Sequence, residues 1–217
     1  MHTIYKCLFC NIYMKLLVVA ALPAELKLIR QWIKSADLKL NLDIDYLCTW
    51  VWNYETIFSL EKYLCSHNES IFVLNIWVCW YWNASHEILK NPIQVASVVN
   101  LCTWKEIVCP PFLQLASFWT CFSSENILLS FPSSLNKTKE AGYDYYFDME
   151  SWWISFVSLR HKLPYLILKV PLDFLDSGSD LLSRDNYYDS LKDDLVVLMK
   201  NLPYKDFLTK ILGRIGG

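Results

Sequence analysis

Met14-Lys15-Leu16-Leu17-Val18-Val19-Ala20-Ala21-Leu22-Pro23-Ala24-Glu25 is the stretch whose reading decides the fold. Its unbroken apolar run from Leu16 to Leu22 is the pattern of a strand buried on both faces. Pro23 then suits the first turn of a helix, and Leu26, Ile29, Trp32 and Ile33 recur at helical spacing as far as Ser35. After Lys15 the run also resembles a short signal-peptide core, but seven residues are the lower limit for such a segment. They fall far short of the ~20 needed to span a bilayer. The strand reading is therefore taken, with Met14 as the functional start and residues 1–13 as an N-terminal extension.

Working outward, strands and helices continue to alternate. Asp43 to Val51 reads as a strand and Glu55 to Cys65 as an amphipathic helix. Ile71 to Val78 is a second buried strand, and Ile93–Val99, Glu106–Val108 and Asn126–Phe131 are shorter candidates. Ser151 to Lys162 is helical in pattern, and Tyr165 to Val170 is a strand expected to end at Pro171. Two helices, Tyr187–Asn201 and Tyr204–Leu212, are expected to close the chain. This alternation implies the α/β class, a single domain over residues 14–213 built on a mostly parallel central sheet flanked by helices. In such sheets ligands gather outside the carboxyl ends of the strands. Chemistry is thus expected just after Leu22, Val51, Val78 and Val170.

Composition narrows the function classes. Over 217 residues, 20 basic and 22 acidic side chains give a net charge of −2, which excludes a strongly basic nucleic-acid domain. Apolar residues make up 54%, too many for a disordered chain. Eight cysteines lie mostly inside apolar runs, which favours reduced, buried thiols over a disulfide framework. Cys7 and Cys10 form a lone CxxC without a second pair, so no metal is expected. The anomaly is in glycine. Average usage of about 7% would give roughly 15, yet there are 5, beside 10 tryptophans.

Three carboxylates stand at strand ends: Glu25, Glu150 and Asp173. Each singly could be a helix-dipole partner or a solvated surface acid. Together they form a pattern. Met14 to Glu25 resembles the opening of the nucleosidase branch of the purine nucleoside phosphorylase superfamily. Its Ala-Leu-Pro-Ala-Glu is most similar to futalosine hydrolase and next to 5′-methylthioadenosine/S-adenosylhomocysteine nucleosidase. Phe147-Asp148-Met149-Glu150-Ser151 is similar to that family's Asp-Met-Glu helix start. Tyr165 to Asp173 resembles its strand ending in Ser-Asp, with the acid 23 residues after Glu150. The resemblance runs from Met14 to about Leu212, and the stretch from about Thr103 to Asn126 is shorter than in most relatives.

The resemblance implies a nucleoside phosphorylase-like fold and hydrolysis of the N-glycosidic bond of a purine-type nucleoside. The substrate would be futalosine or aminodeoxyfutalosine, with a place in menaquinone biosynthesis, or methylthioadenosine. Carried over, Glu25 would hold and deprotonate the attacking water and Asp173 would protonate the leaving base. Glu150 would bind ribose hydroxyls beside Met149, while Asn75 and Phe131 complete the substrate-binding set. No cofactor is implied; the partner is the small-molecule nucleoside, with no nucleic acid and no membrane. The resemblance suggests a homodimer, and a cytoplasmic location is expected. The physics is compatible: loss of the base leaves an oxocarbenium-like sugar, which an anionic pocket and one proton donor serve well.

Departures from the family touch the same places. Leu172 stands where relatives have Ser before the acid. Thr49-Trp50-Val51-Trp52-Asn53 replaces a Thr-Gly-x-Gly turn, and Asn75-Ile76-Trp77-Val78-Cys79-Trp80 replaces an Asn-x-Gly-x-x-Gly turn. Trp104 and Trp153 also occupy positions where small residues are expected. Glycine at such turns permits φ > 0 and close approach to a ligand, whereas a Trp brings ~200 Å² of surface to pack. The alternative reading is accordingly a catalytically degenerate binding protein whose pocket is filled by tryptophan. A third, a stacking platform for single-stranded nucleic acid, lacks the basic stripe that backbone tracking requires.

Overall fold

The structure is a computed structural model that describes residues 14–35, 43–50, 53–82, 93–110, 118–125, 128, 132–136 and 144–174. Among the described residues, eight strands form one mixed, mostly parallel sheet flanked by three α-helices, a single α/β domain as expected. The elements are β1 (Lys15–Ala20), α1 (Pro23–Ser35), β2 (Ile44–Cys48), α2 (Asn53–Cys65), β3 (Ile71–Trp82), β4 (Ile93–Asn100) and β5 (Glu106–Val108). They continue with β6 (Phe118–Ser123), a 3-10 turn (Ser133–Leu135), β7 (Tyr145–Asp148), α3 (Ser151–Arg160) and β8 (Tyr165–Phe174).

β1 lies between β2 and β3, parallel to both, and Leu16, Leu17, Val18 and Val19 are wholly inaccessible. That double burial is why the run carries no polar alternation. On one face, Leu17, Val19, Val73, Tyr165 and Ile167 pack with Leu60 and Leu64 of α2 and Ile154 and Val157 of α3. α1 packs on β1 and β2, burying Leu26, Ile29 and Ile33. Each fully buried Leu or Ile contributes about 1.5–3 kcal/mol, so this core holds the strand ends in place.

β3 is long enough to serve three neighbours: β1 and β8 run parallel to it, and its last residues pair antiparallel with β7. β8 also pairs with β4, so the path β3–β7–β6–β4–β8 returns to β3 and closes a ring of strands.

Several expectations need correction. β8 does not end at Pro171; it continues to Phe174. Pro171 lies opposite Cys79, where the register shifts before Trp80, and such an irregularity tolerates a residue without an N–H. β2 ends at Cys48 rather than Val51, because Trp50 has φ 60 and cannot continue a strand. β6 and β7 were not anticipated as strands. Cys79, Cys109 and Cys121 are buried free thiols, but Cys65 and Cys102 are exposed. The extension 1–13, most of the strand expected at 126–131, and the two closing helices lie outside the described residues.

Candidate active site

Glu25 is placed by the β1–α1 junction. Leu22 caps α1, Pro23 opens it, and Glu25 Oε2 accepts the Leu22 backbone N–H at 2.9 Å. This is the acidic half of a capping box. Glu25 is only 4% exposed. Burial first, and then the nearby charge of Glu150, push its carboxyl up to about 8. A cap alone would hold a carboxylate below its ordinary range, so the surroundings outweigh the cap.

Glu150 stands at the N-cap position of α3, where its side chain makes no capping bond. Capping is done instead by Asp148, whose Oδ2 accepts the Ser151 backbone N–H at 3.0 Å and the Ser151 hydroxyl. Ser123 Oγ accepts the next N–H, that of Trp152, at 3.4 Å. Glu150 is partly buried and its carboxyl is raised, by desolvation foremost, with Lys169 opposing and Asp148 adding to the rise. Met149 beside it is buried.

Lys169, on β8, was not anticipated. It is wholly inaccessible, and its Nζ lies 2.8 Å from Asp148 Oδ2. Burial would lower the ammonium, but Asp148 and Glu150 override that and keep it charged. The signal in the sequence was a lone lysine inside the apolar run Tyr165 to Val170, since lysine is almost never fully buried without a partner.

Asn75 is buried near the middle of β3, and its Nδ2 donates to the Val19 carbonyl at 3.0 Å, tying β3 to β1. Its Oδ1 is buried without a hydrogen-bond partner among the described residues, as is Asp148 Oδ1. Asp173 lies on β8 in register with Trp80, toward the same carboxyl end of the parallel strands. Phe131 lies outside the described residues.

The tryptophans separate into different situations. Trp50 has φ 60 and is 52% exposed, and Trp104 has φ 57 and is 50% exposed. Both therefore stand at backbone positions suited to glycine. Trp77, by contrast, is buried within β3 in register with Lys169, and Trp80 is partly buried in the same strand.

Glu25, Glu150, Asp148 and Lys169 thus form one electrostatically connected group at the carboxyl end of the sheet. In their ionised forms Glu25 and Glu150 can hold a water, accept its proton and offset the charge of a cationic sugar, while Lys169 serves as the counter-charge of Asp148. Among the described residues no group of three or more His, Cys, Asp or Glu could hold a metal ion.

Comparison with solved structures matches this architecture over almost the whole chain. A Borrelia burgdorferi structure described as a 5′-methylthioadenosine/S-adenosylhomocysteine nucleosidase bound to adenine aligns with a TM-score of 0.68 at 14% identity. It covers 92% of this chain and 99% of the other. The fold is that of these nucleosidases. A Chlamydia trachomatis MTAN aligns with a TM-score of 0.63 at 16% identity, covering 94% and 99% of the two chains. The Arabidopsis thaliana 5′-methylthioadenosine nucleosidase aligns at 0.61 and 15%, covering 96% and 98%. No protein-family model and no curated protein matches the sequence.

Proposed function

We propose that this chain hydrolyses the N-glycosidic bond of a purine-type nucleoside. The observation that carries the reading is Glu25, buried at the β1–α1 junction with its carboxyl pushed up to about 8 beside Glu150. It supports the reading that the nucleosidase fold here comes with a base near the working pH. In this account water adds to C1′ as the bond to the base breaks. The proton of the water goes to the Glu25 carboxylate, and Asp173 supplies a proton to the departing base. Glu150 accepts hydrogen bonds from the ribose hydroxyls, with Met149 against the sugar and Asn75 and Phe131 completing the pocket. No cofactor enters these steps.

For the substrate, futalosine or aminodeoxyfutalosine and methylthioadenosine are the proposed choices, the first pair placing the enzyme in menaquinone biosynthesis. A homodimer is part of the proposal, with Tyr54 and Phe58, one turn apart and strongly exposed on α2, as the face for a second copy. The described helices include none long and apolar enough to cross a membrane, and a cytoplasmic location is proposed. The competing reading, a binding protein without turnover, is favoured by one observation: Trp77 is buried in register with Lys169 where the resemblance expects glycine.

The test is free-base release from a panel of aminodeoxyfutalosine, futalosine, methylthioadenosine and adenosine, followed by chromatography. Release from at least one of the first three supports hydrolysis. Tight binding of one of them with no release would favour the binding protein.

A further inference from the structure

The steps just proposed leave Lys169 without a part, although a wholly buried lysine demands one. Its ammonium lies 2.8 Å from Asp148 Oδ2, the oxygen that also accepts the backbone N–H and hydroxyl of Ser151. One carboxylate oxygen therefore joins β8 to the end of β7 and to the first turn of α3. The Asp148 backbone carbonyl is held in turn by the Ser124 N–H at 2.8 Å. Glu150 lies within this anchored turn: its carbonyl accepts the Ile154 N–H at 3.0 Å, and its carboxylate is not used in capping.

We propose that Lys169 is a positioning residue, which through Asp148 and Ser151 holds the turn from 148 to 151, and with it Glu150, in the geometry that binds the ribose hydroxyls. This rests on the nucleosidase reading for its substrate. The charged or titratable groups that face the ammonium are Asp148 of β7, Glu150 at the start of α3, Cys121 of β6 and Glu25 of α1. Without it, three carboxyls share one buried region with no counter-charge, and the turn loses its tie to β8. Lys169 touches Asp148 rather than the reacting atoms, so its loss weakens substrate binding more than the chemical step.

The experiment compares wild type with Lys169→Met, Lys169→Arg and Ser151→Ala in two measurements. One is steady-state kinetics; the other is the carboxyl 13C titration of glutamate-labelled protein, with the Glu150 signal assigned by Glu150→Gln. Lys169→Met should raise KM about tenfold or more with kcat changed far less. It should also move the Glu150 titration upward by about one pH unit. Lys169→Arg should restore both, and Ser151→Ala, which leaves the ion pair in place, should raise KM in the same direction by a smaller factor. A fall in kcat at constant KM, or an unmoved Glu150 titration in folded Lys169→Met, overturns the proposal. If Lys169→Met does not fold, Ser151→Ala decides: unchanged KM and an unmoved Glu150 signal overturn it. Absence of turnover in the wild type would refute the nucleosidase reading, and the carboxyl titration would still decide whether Lys169 controls Glu150.

Discussion

Replacing Glu25 by Gln should make the protein more stable as the pH rises, while removing its activity. In the folded chain the Glu25 carboxyl is pushed up from 4.5 to about 8, by burial and then by Glu150. Between those two values the folded state keeps a proton that the unfolded state has released. The unfolding free energy must therefore fall with rising pH across that window, and the loss is complete above pH 8. At 1.36 kcal/mol per pH unit the full effect is about 5 kcal/mol as an upper bound. Gln keeps a carbonyl oxygen to accept the Leu22 N–H, so the cap survives and the titration disappears. The assay is urea unfolding of wild type and Glu25→Gln at intervals from pH 5 to 9. Titrating groups remote from Glu25 cancel in the difference, whereas Glu150, which interacts with Glu25, contributes to it. The variant should gain on the wild type by several kcal/mol across the range, most of it before pH 8. Parallel stability curves would refute the assignment of Glu25 as a buried, proton-holding carboxyl.

Three further outcomes follow from the same geometry. Asp173→Asn should lower the rate roughly 10²–10⁴-fold with the melting temperature little changed, as read by base release and thermal unfolding. The pH profile of kcat/KM should rise toward pH 8, falling about tenfold per unit below it, because Glu25 must be ionised to take a proton from water; a profile flat from pH 6 to 9 would exclude Glu25 as the base. Trp50→Gly relieves a positive φ at a half-exposed residue and should stabilise by about 1 kcal/mol, whereas Trp77→Gly should cost roughly 3–5 kcal/mol. Calorimetric melts that rank the two variants the other way would contradict the separation of the tryptophans.

Much of this architecture is legible in the sequence where a run has a single physical explanation. Leu16 to Leu22 carries no polar residue because β1 is covered by neighbours on both edges and both faces, and Pro23 with Glu25 marks the helix start. β6 and β7 were harder to see. Phe118-Trp119-Thr120-Cys121-Phe122-Ser123 and Tyr145-Tyr146-Phe147-Asp148 are aromatic rather than Val- and Ile-rich, and they are short strands inside the closed ring. Their aromatic and Thr content was the available signal. Pro171 misled because a proline ordinarily stops a central strand, and only the register shift opposite it lets β8 continue. At the site, the sequence marked Glu25, Met149 and Glu150 through the resemblance, but not Lys169 or the capping role of Asp148. The part of Lys169 depends on a contact between β8 and β7 that joins residues far apart in the chain, whereas the Asp148 cap is local, three residues before Ser151. Tryptophan stands where the resemblance expects a small residue at Trp50 and Trp104 with positive φ, and at Trp77 within the ordinary strand backbone of β3.

The most direct test of the account is the initial rate of adenine release from methylthioadenosine and aminodeoxyfutalosine, measured side by side for wild type and Glu25→Gln at pH 8. The wild type should release adenine steadily from at least one of the two, and the variant should lose at least 10²-fold. Equal rates in the two proteins, or no release by a folded wild type, would contradict it.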